Sequence, residues 1–294
     1  MGLTRDEPAA DLTTRPDGLF GPGSVTWRIM AEPVIWVAGL RSLYLQALNP
    51  RAMRATWQNA GFADRSKAWG RFVRTAEFVR VRTYGSTAEA ARAGRRVRKI
   101  HATLTGTDAD GSTIRLDEPD LLLWVHNGEV SSYVEIARRC GMRLSAADLD
   151  TFVAEQQRSA GLVGLDPAAA PASVAALDSY YQRVTPGLYA CAEAREALRG
   201  SFKPPVPAQY AALRLIVPPL GALAFATLPR WARKLYGTPG SPLTDIAATA
   251  ALCALYQSTT HVPRQVLYFP ATAAMRLRDR GRGRAVPGAP ASAA

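Results

Sequence analysis

The stretch RRVRKIHATLTGTDADGSTIRLDEPDLLLWVHNGEVSSYVEIARR, Arg95 to Arg139, carries two of the three histidines in the 294-residue chain, His101 and His126. Each lies in a segment with apolar residues at helical spacing. Val97, Ile100, His101 and Leu104 share one face; Leu122, His126, Glu129 and Tyr133 share another. Between them, Asp110-Gly111 is a turn signal and Thr113–Leu116 has the composition of one short strand. The pattern predicts two neighbouring helices that can face each other. Gly106 ends the first, and Pro119, beside Asp117 and Glu118, opens the second.

Upstream, residues 1–23 are polar and punctuated by Pro and Gly, and read as a flexible leader. Ser24 then caps a helical run to Leu48 that Pro33 kinks or breaks. Further helical runs cover Arg51 to Gly61 and Trp69 to Tyr84. Downstream, Ser145 with Asp148 opens another helix, and Ser173 starts one that ends near Thr185-Pro186. The apolar stretch Tyr210–Leu228 is interrupted by Pro218-Pro219, which excludes one straight membrane-spanning helix and favours buried core. Pro229–Tyr236 is basic and aromatic, as suits either an exposed helix or a membrane interface. A last helix spans Pro242 to Tyr256, and Pro263 to Arg278 forms a further piece. The expected organisation is one helical domain over 24–278 and a disordered basic tail over 279–294. With strands confined to the turn after Gly106, the fold class is all-α: a compact multi-helix bundle with at most one short hairpin.

The formal charge is +12, with arginines concentrated at Arg92–Lys99 and in the tail from Arg276 to Arg284. No zinc finger or aromatic-interleaved basic motif accompanies them, so a solvated surface is expected rather than nucleic-acid binding. The basic tail and the Pro229–Tyr236 segment leave peripheral membrane contact open. Cys140, Cys191 and Cys253 are widely spaced and odd in number, which points to a reducing compartment; without an apolar leader, a cytoplasmic location is expected. No dinucleotide fingerprint, P-loop or GxSxG motif occurs.

The remaining chemistry rests on a few side chains. His126 follows the large apolar run Leu121–Val125, and a neutral imidazole in a dry helical pocket is the usual protein ligand of heme iron. The same spacing also describes an ordinary core histidine. His101 and Arg98, one turn apart, can address the other side of a cofactor or simply pack and solvate. Glu77 suits either a base or a helix-surface pair with Arg74 or Arg80. His126-x-x-Glu129 reverses the di-iron motif and is unrepeated, and His261, near Pro263, has nothing to position it as a further ligand.

Several segments together resemble one family. GLFGPGSVTWRI at Gly18–Ile29, LRSLYLQALNP at Leu40–Pro50, RFVRTAEFV at Arg71–Val79, VRKIHATLTG at Val97–Gly106 and DEPDLLLWVHNGEV at Asp117–Val130 keep the order and spacing of the DUF2236 family, which includes fungal MpaB-type oxygenases and bacterial rubber oxygenases. LPRWARKLYG at Leu228–Gly237 is also similar to it. The resemblance implies a globin-like helical core, a b-type heme whose proximal iron ligand is His126, and Arg98 and His101 in the signature beside it. It further implies an oxygenase or other oxidoreductase that uses dioxygen on a hydrophobic or natural-product substrate; in that reading Glu77, as the candidate base, handles a proton. A helical heme-binding or membrane-surface protein without catalysis is the alternative. Asn127-Gly128 stands where many relatives carry a small residue after the histidine. The rubber-cleaving branch is secreted, so rubber is not the expected substrate.

Overall fold

The computed structural model describes residues 18–60, 65–204 and 206–260. Among them are twelve α-helices and one two-stranded hairpin, so the chain is all-α, as its periodicity predicts. Ser24 caps α1 (Val25–Met30), its hydroxyl accepting from the Trp27 amide, and Pro33 falls in the break before α2 (Ile35–Gln46). Next come α3 (Pro50–Ala60), α4 (Arg65–Tyr84) and α5 (Thr87–Thr103), the last opening on a reciprocal Ser86–Glu89 capping box. Strands β1 (Thr105–Thr107) and β2 (Thr113–Arg115) pair antiparallel with Gly106 opposite Ile114. Then follow α6 (Pro119–Arg139), α7 (Ala146–Val163), α8 (Val174–Val184), α9 (Ala192–Ser201), α10 (Leu213–Ala226), α11 (Arg230–Leu235) and α12 (Pro242–Thr260).

The centre of the molecule is the antiparallel pair α2 and α6. Trp124 Nε1 donates to the Gln46 carbonyl (2.8 Å) at one end, and Arg41 Nη1 to Ser132 Oγ (2.7 Å) further along. Leu45, Leu48, Trp124, Ile136 and Phe152 are fully buried around this pair. α10 covers α2, and Tyr236 reaches back from the end of α11 to donate to the Tyr44 carbonyl (2.7 Å). α7 lies across α1, α5 and α6. The hairpin packs on α3 through Gly106: a Cβ there would come within 2.8 Å of Ala55 Cα, so only glycine permits the approach.

Several expectations are corrected. Leu19 and Phe20 are buried with Trp27, Tyr84 and Leu162, so the packed chain reaches back into the stretch read as a leader. α5 ends at Thr103, because Gly106 is needed in β1. Ile100 is exposed, and the packed face of α5 runs through Thr87, Ala90 and Gly94 instead. α5 packs mainly on α4 and α7 rather than facing α6.

The two prolines do not break α10; Pro218 and Pro219 lie inside it. They deprive the Arg214 and Leu215 carbonyls of helical partners, and both residues are exposed, so water can satisfy those groups. The core reading of Tyr210–Leu228 holds only for its second half: Gly221, Ala224 and Leu228 are buried, whereas Leu215 is 81% exposed.

The basic-aromatic segment is not an ordinary exposed helix. Arg233 is 1% exposed, pairs with Asp245 (2.6 Å) and donates to the Ala226 carbonyl (3.0 Å), tying α11 to its neighbours. No helix among the described residues is long and apolar enough to cross a membrane. His261, the piece from Pro263 and the basic tail lie outside the described residues.

Candidate active site

α4 organises the candidate site. Arg71, Phe78 and Arg82 recur along one stripe of this helix, and each arginine acts electrostatically on a different histidine. Arg82 Nη2 is ion-paired to Glu129 on α6, and its guanidinium lies 5.7 Å from the Phe78 ring centre. Tyr133, one turn beyond Glu129, donates to the same carboxylate oxygen (2.9 Å). Burial alone would lower the Arg82 pKa, but Glu129 and Tyr133 more than reverse this and hold it above its ordinary value. Burial also drives the Tyr133 phenol well above its usual range, so it stays a proton donor.

His126 sits one turn before Glu129 on the same helix and is 6% exposed. Its imidazole makes no hydrogen bond among the described residues. Burial first, and then the Arg82 charge, push its pKa down to about 4, with Glu129 opposing. The ring is therefore neutral at physiological pH, with a nitrogen lone pair to offer. The next residue, Asn127, is 1% exposed, and neither atom of its amide has a hydrogen-bond partner, although the Tyr180 hydroxyl faces it from α8. At Gly128 a Cβ would come within 2.9 Å of Gln46 Cγ, so the glycine after the histidine lets α2 approach.

The other expected residues lie elsewhere. His101, in the last turn of α5, is half-buried, and its Nδ1 has neither exposure nor a hydrogen-bond partner. Burial and then Arg71 lower its pKa, and Asp117 raises it. The structure joins it to Arg71 and Asp117, and His126 to Arg82 and Glu129; no hydrogen bond or ion pair among the described residues links the two histidines. Arg98 donates to the Leu162 carbonyl (2.7 Å) at the end of α7. Its stem lies against Gly164, which ends that helix at φ 97°. Glu77 is on the exposed face of α4, bonded to Arg80 (2.7 Å), and that pairing holds its carboxyl below the usual range. This matches the helix-surface pair and not a base poised near neutrality.

Arg82 and Arg71 were not found from the sequence. The sequence offers for them only their registry with Phe78 on one stripe. Among the described residues, one open hollow lies between α6 and α12 beside Arg139 and Asp245 and another beside Tyr181 and Trp231; neither of these is lined by His101 or His126.

An all-α domain with a buried, neutral imidazole on a central helix is the setting in which an axial ligand of a redox cofactor is found. The chain belongs to the family described as ER-bound oxygenase mpaB/B'/Rubber oxygenase, catalytic domain, whose model matches residues 27–258. Its function is therefore of the oxygenase type. No curated protein and no solved structure matches the chain.

Proposed function

We propose that the protein is a heme b-dependent oxygenase acting on a hydrophobic or natural-product substrate, with His126 as the proximal iron ligand. The observation that carries this reading is the state of His126: buried, neutral and without a hydrogen bond among the described residues. An iron ligand needs a free lone pair, and an imidazole with no protein partner has one to give. When bound, heme would supply the redox chemistry with dioxygen.

The chain's own residues have separable tasks. His126 presents its lone pair from a rigid central helix. Burial first, and then the Arg82 charge, keep that imidazole unprotonated, and Glu129 with Tyr133 fixes the guanidinium in place. His101 and Arg98 belong to the opposite end of the site in this reading: His101 carries a proton on one nitrogen, and Arg98 anchors α5 to α7 so that His101 holds its position. Glu77 takes no part. A location at a membrane surface or in the cytoplasm is compatible with the helices described.

The test is a visible spectrum of the full chain expressed with ample hemin. A Soret band that is lost in His126→Ala, together with dioxygen consumption that requires the same residue, supports the reading. Colourless protein, or an unchanged band in the variant, sinks it.

A further inference from the structure

A second cationic corner lies three turns of α4 away from Arg82, about 16 Å along the helix axis. Arg71 is half-buried there and makes no side-chain hydrogen bond or ion pair among the described residues. Its strongest electrostatic neighbour is another cation, Arg74, and both burial and that neighbour lower its pKa. His101 shares the corner, with its buried Nδ1 unpartnered, and the Asp117 carboxylate, which Arg115 pairs, also acts on it. A guanidinium drawn out of water without a counter-charge is a costly arrangement, and it is relieved when an anion enters.

The adjoining wall is apolar and open. Phe72 stacks between Trp36 of α2 (6.5 Å) and Trp69 (5.7 Å), and Trp69 continues to Tyr210 (6.1 Å). These rings bridge α2, α4 and the segment before α10, yet Trp36 is 57% and Tyr210 50% exposed. Exposed aromatic rows of this kind mark binding surfaces. Cationic corner and greasy wall are adjacent positions of one helix, so they suit two ends of one molecule.

We infer that this corner and wall bind a long-chain carboxylic acid, with the carboxylate on Arg71 and the hydrocarbon along Trp36, Phe72, Trp69 and Tyr210. A guanidinium matches a carboxylate in shape and charge. The acid is substrate rather than cofactor. The wall is open to solvent, as a molecule that enters and leaves requires. The assignment names the substrate class for the oxygenase reading and rests on that reading only for turnover; the binding site stands without it.

The experiment is equilibrium binding to the full chain, read by tryptophan fluorescence, with palmitate and methyl palmitate as probes. Wild type is expected to favour palmitate at least tenfold. Arg71→Gln should abolish that preference while leaving methyl palmitate binding and the thermal melt unchanged, since the side chain has no partner in the fold, and Arg71→Lys should retain part of it. Equal binding of the two probes by wild type overturns the inference. So does a loss of hemin affinity in Arg71→Gln without any change toward palmitate, which would give the corner to the cofactor. Arg71-dependent palmitate binding by protein that never takes up hemin would uphold the site and sink the heme reading.

Discussion

Arg82 of α4 and Glu129 of α6 form a buried ion pair one helical turn from His126, and the Arg82 Nε has no partner. The pair joins two helices that otherwise touch little, and it places a fixed positive charge beside the proposed iron ligand. Its energetics are those of any charge pair removed from water: the pair need not stabilise the fold, but half of it is worse than none.

Glu129→Ala should therefore destabilise the protein by about 3–5 kcal/mol, since it leaves a guanidinium buried without its carboxylate. The double variant Arg82→Met/Glu129→Leu should recover most of that loss. Urea unfolding of the three proteins measures both effects. A single-variant cost below about 1 kcal/mol would mean that the pair is solvated.

Acid should act through His126. The imidazole titrates near 6.5 in an unfolded chain and at about 4 in the fold. As pH falls below 6.5 the unfolded chain gains a proton that the folded one refuses, so stability declines down to pH 4 and then levels off. The gap is worth roughly 3 kcal/mol, and His101, also lowered, adds in the same direction. In His126→Gln the larger part of this decline should vanish. An unchanged pH profile in that variant would contradict the burial of the ring.

Gly94 and Arg98 meet the same carbonyl. A Cβ on Gly94 would lie 2.7 Å from the Leu162 oxygen, which is the acceptor for Arg98. Gly94→Ala must push α5 off α7, at a cost of about 1–3 kcal/mol despite the better helix propensity of alanine. If the variant melts at or above the wild-type temperature, the two helices are not in such close contact.

The buried amide of Asn127 offers a contrasting case. Neither of its polar atoms is satisfied, so Asn127→Leu should leave stability unchanged or raise it by up to about 1 kcal/mol. Thermal denaturation decides; a marked drop would show that the amide is engaged in a bond the fold depends on.

Local signals made most of the helices legible in the sequence. Ser24, Ser145 and Ser173 all cap as their spacing suggests. The burial of His126 was legible from its place on the Leu122–Glu129–Tyr133 face. Arg82 and Arg233 were not, because whether an arginine is buried depends on a partner the chain brings from elsewhere: Glu129 lies 47 residues from Arg82, and Asp245 12 from Arg233. The helix through Pro218-Pro219 was missed for a different reason. The rule against interior proline assumes that the orphaned carbonyls are sealed from solvent, and here they are not. Glu77 shows the converse, since its nearest cation, Arg80, is local and the surface pair was already one of the two readings.

The proline pair in α10 has one more effect. A helix missing two consecutive rungs, and wetted where they are missing, is a natural first place for the fold to come undone. Amides at the start of α10 should exchange with deuterium well before those of α2 beneath it. The flap so loosened carries Leu215 and Ile216 and follows directly on Tyr210, so its breathing would set how fast a greasy guest reaches or leaves the aromatic wall.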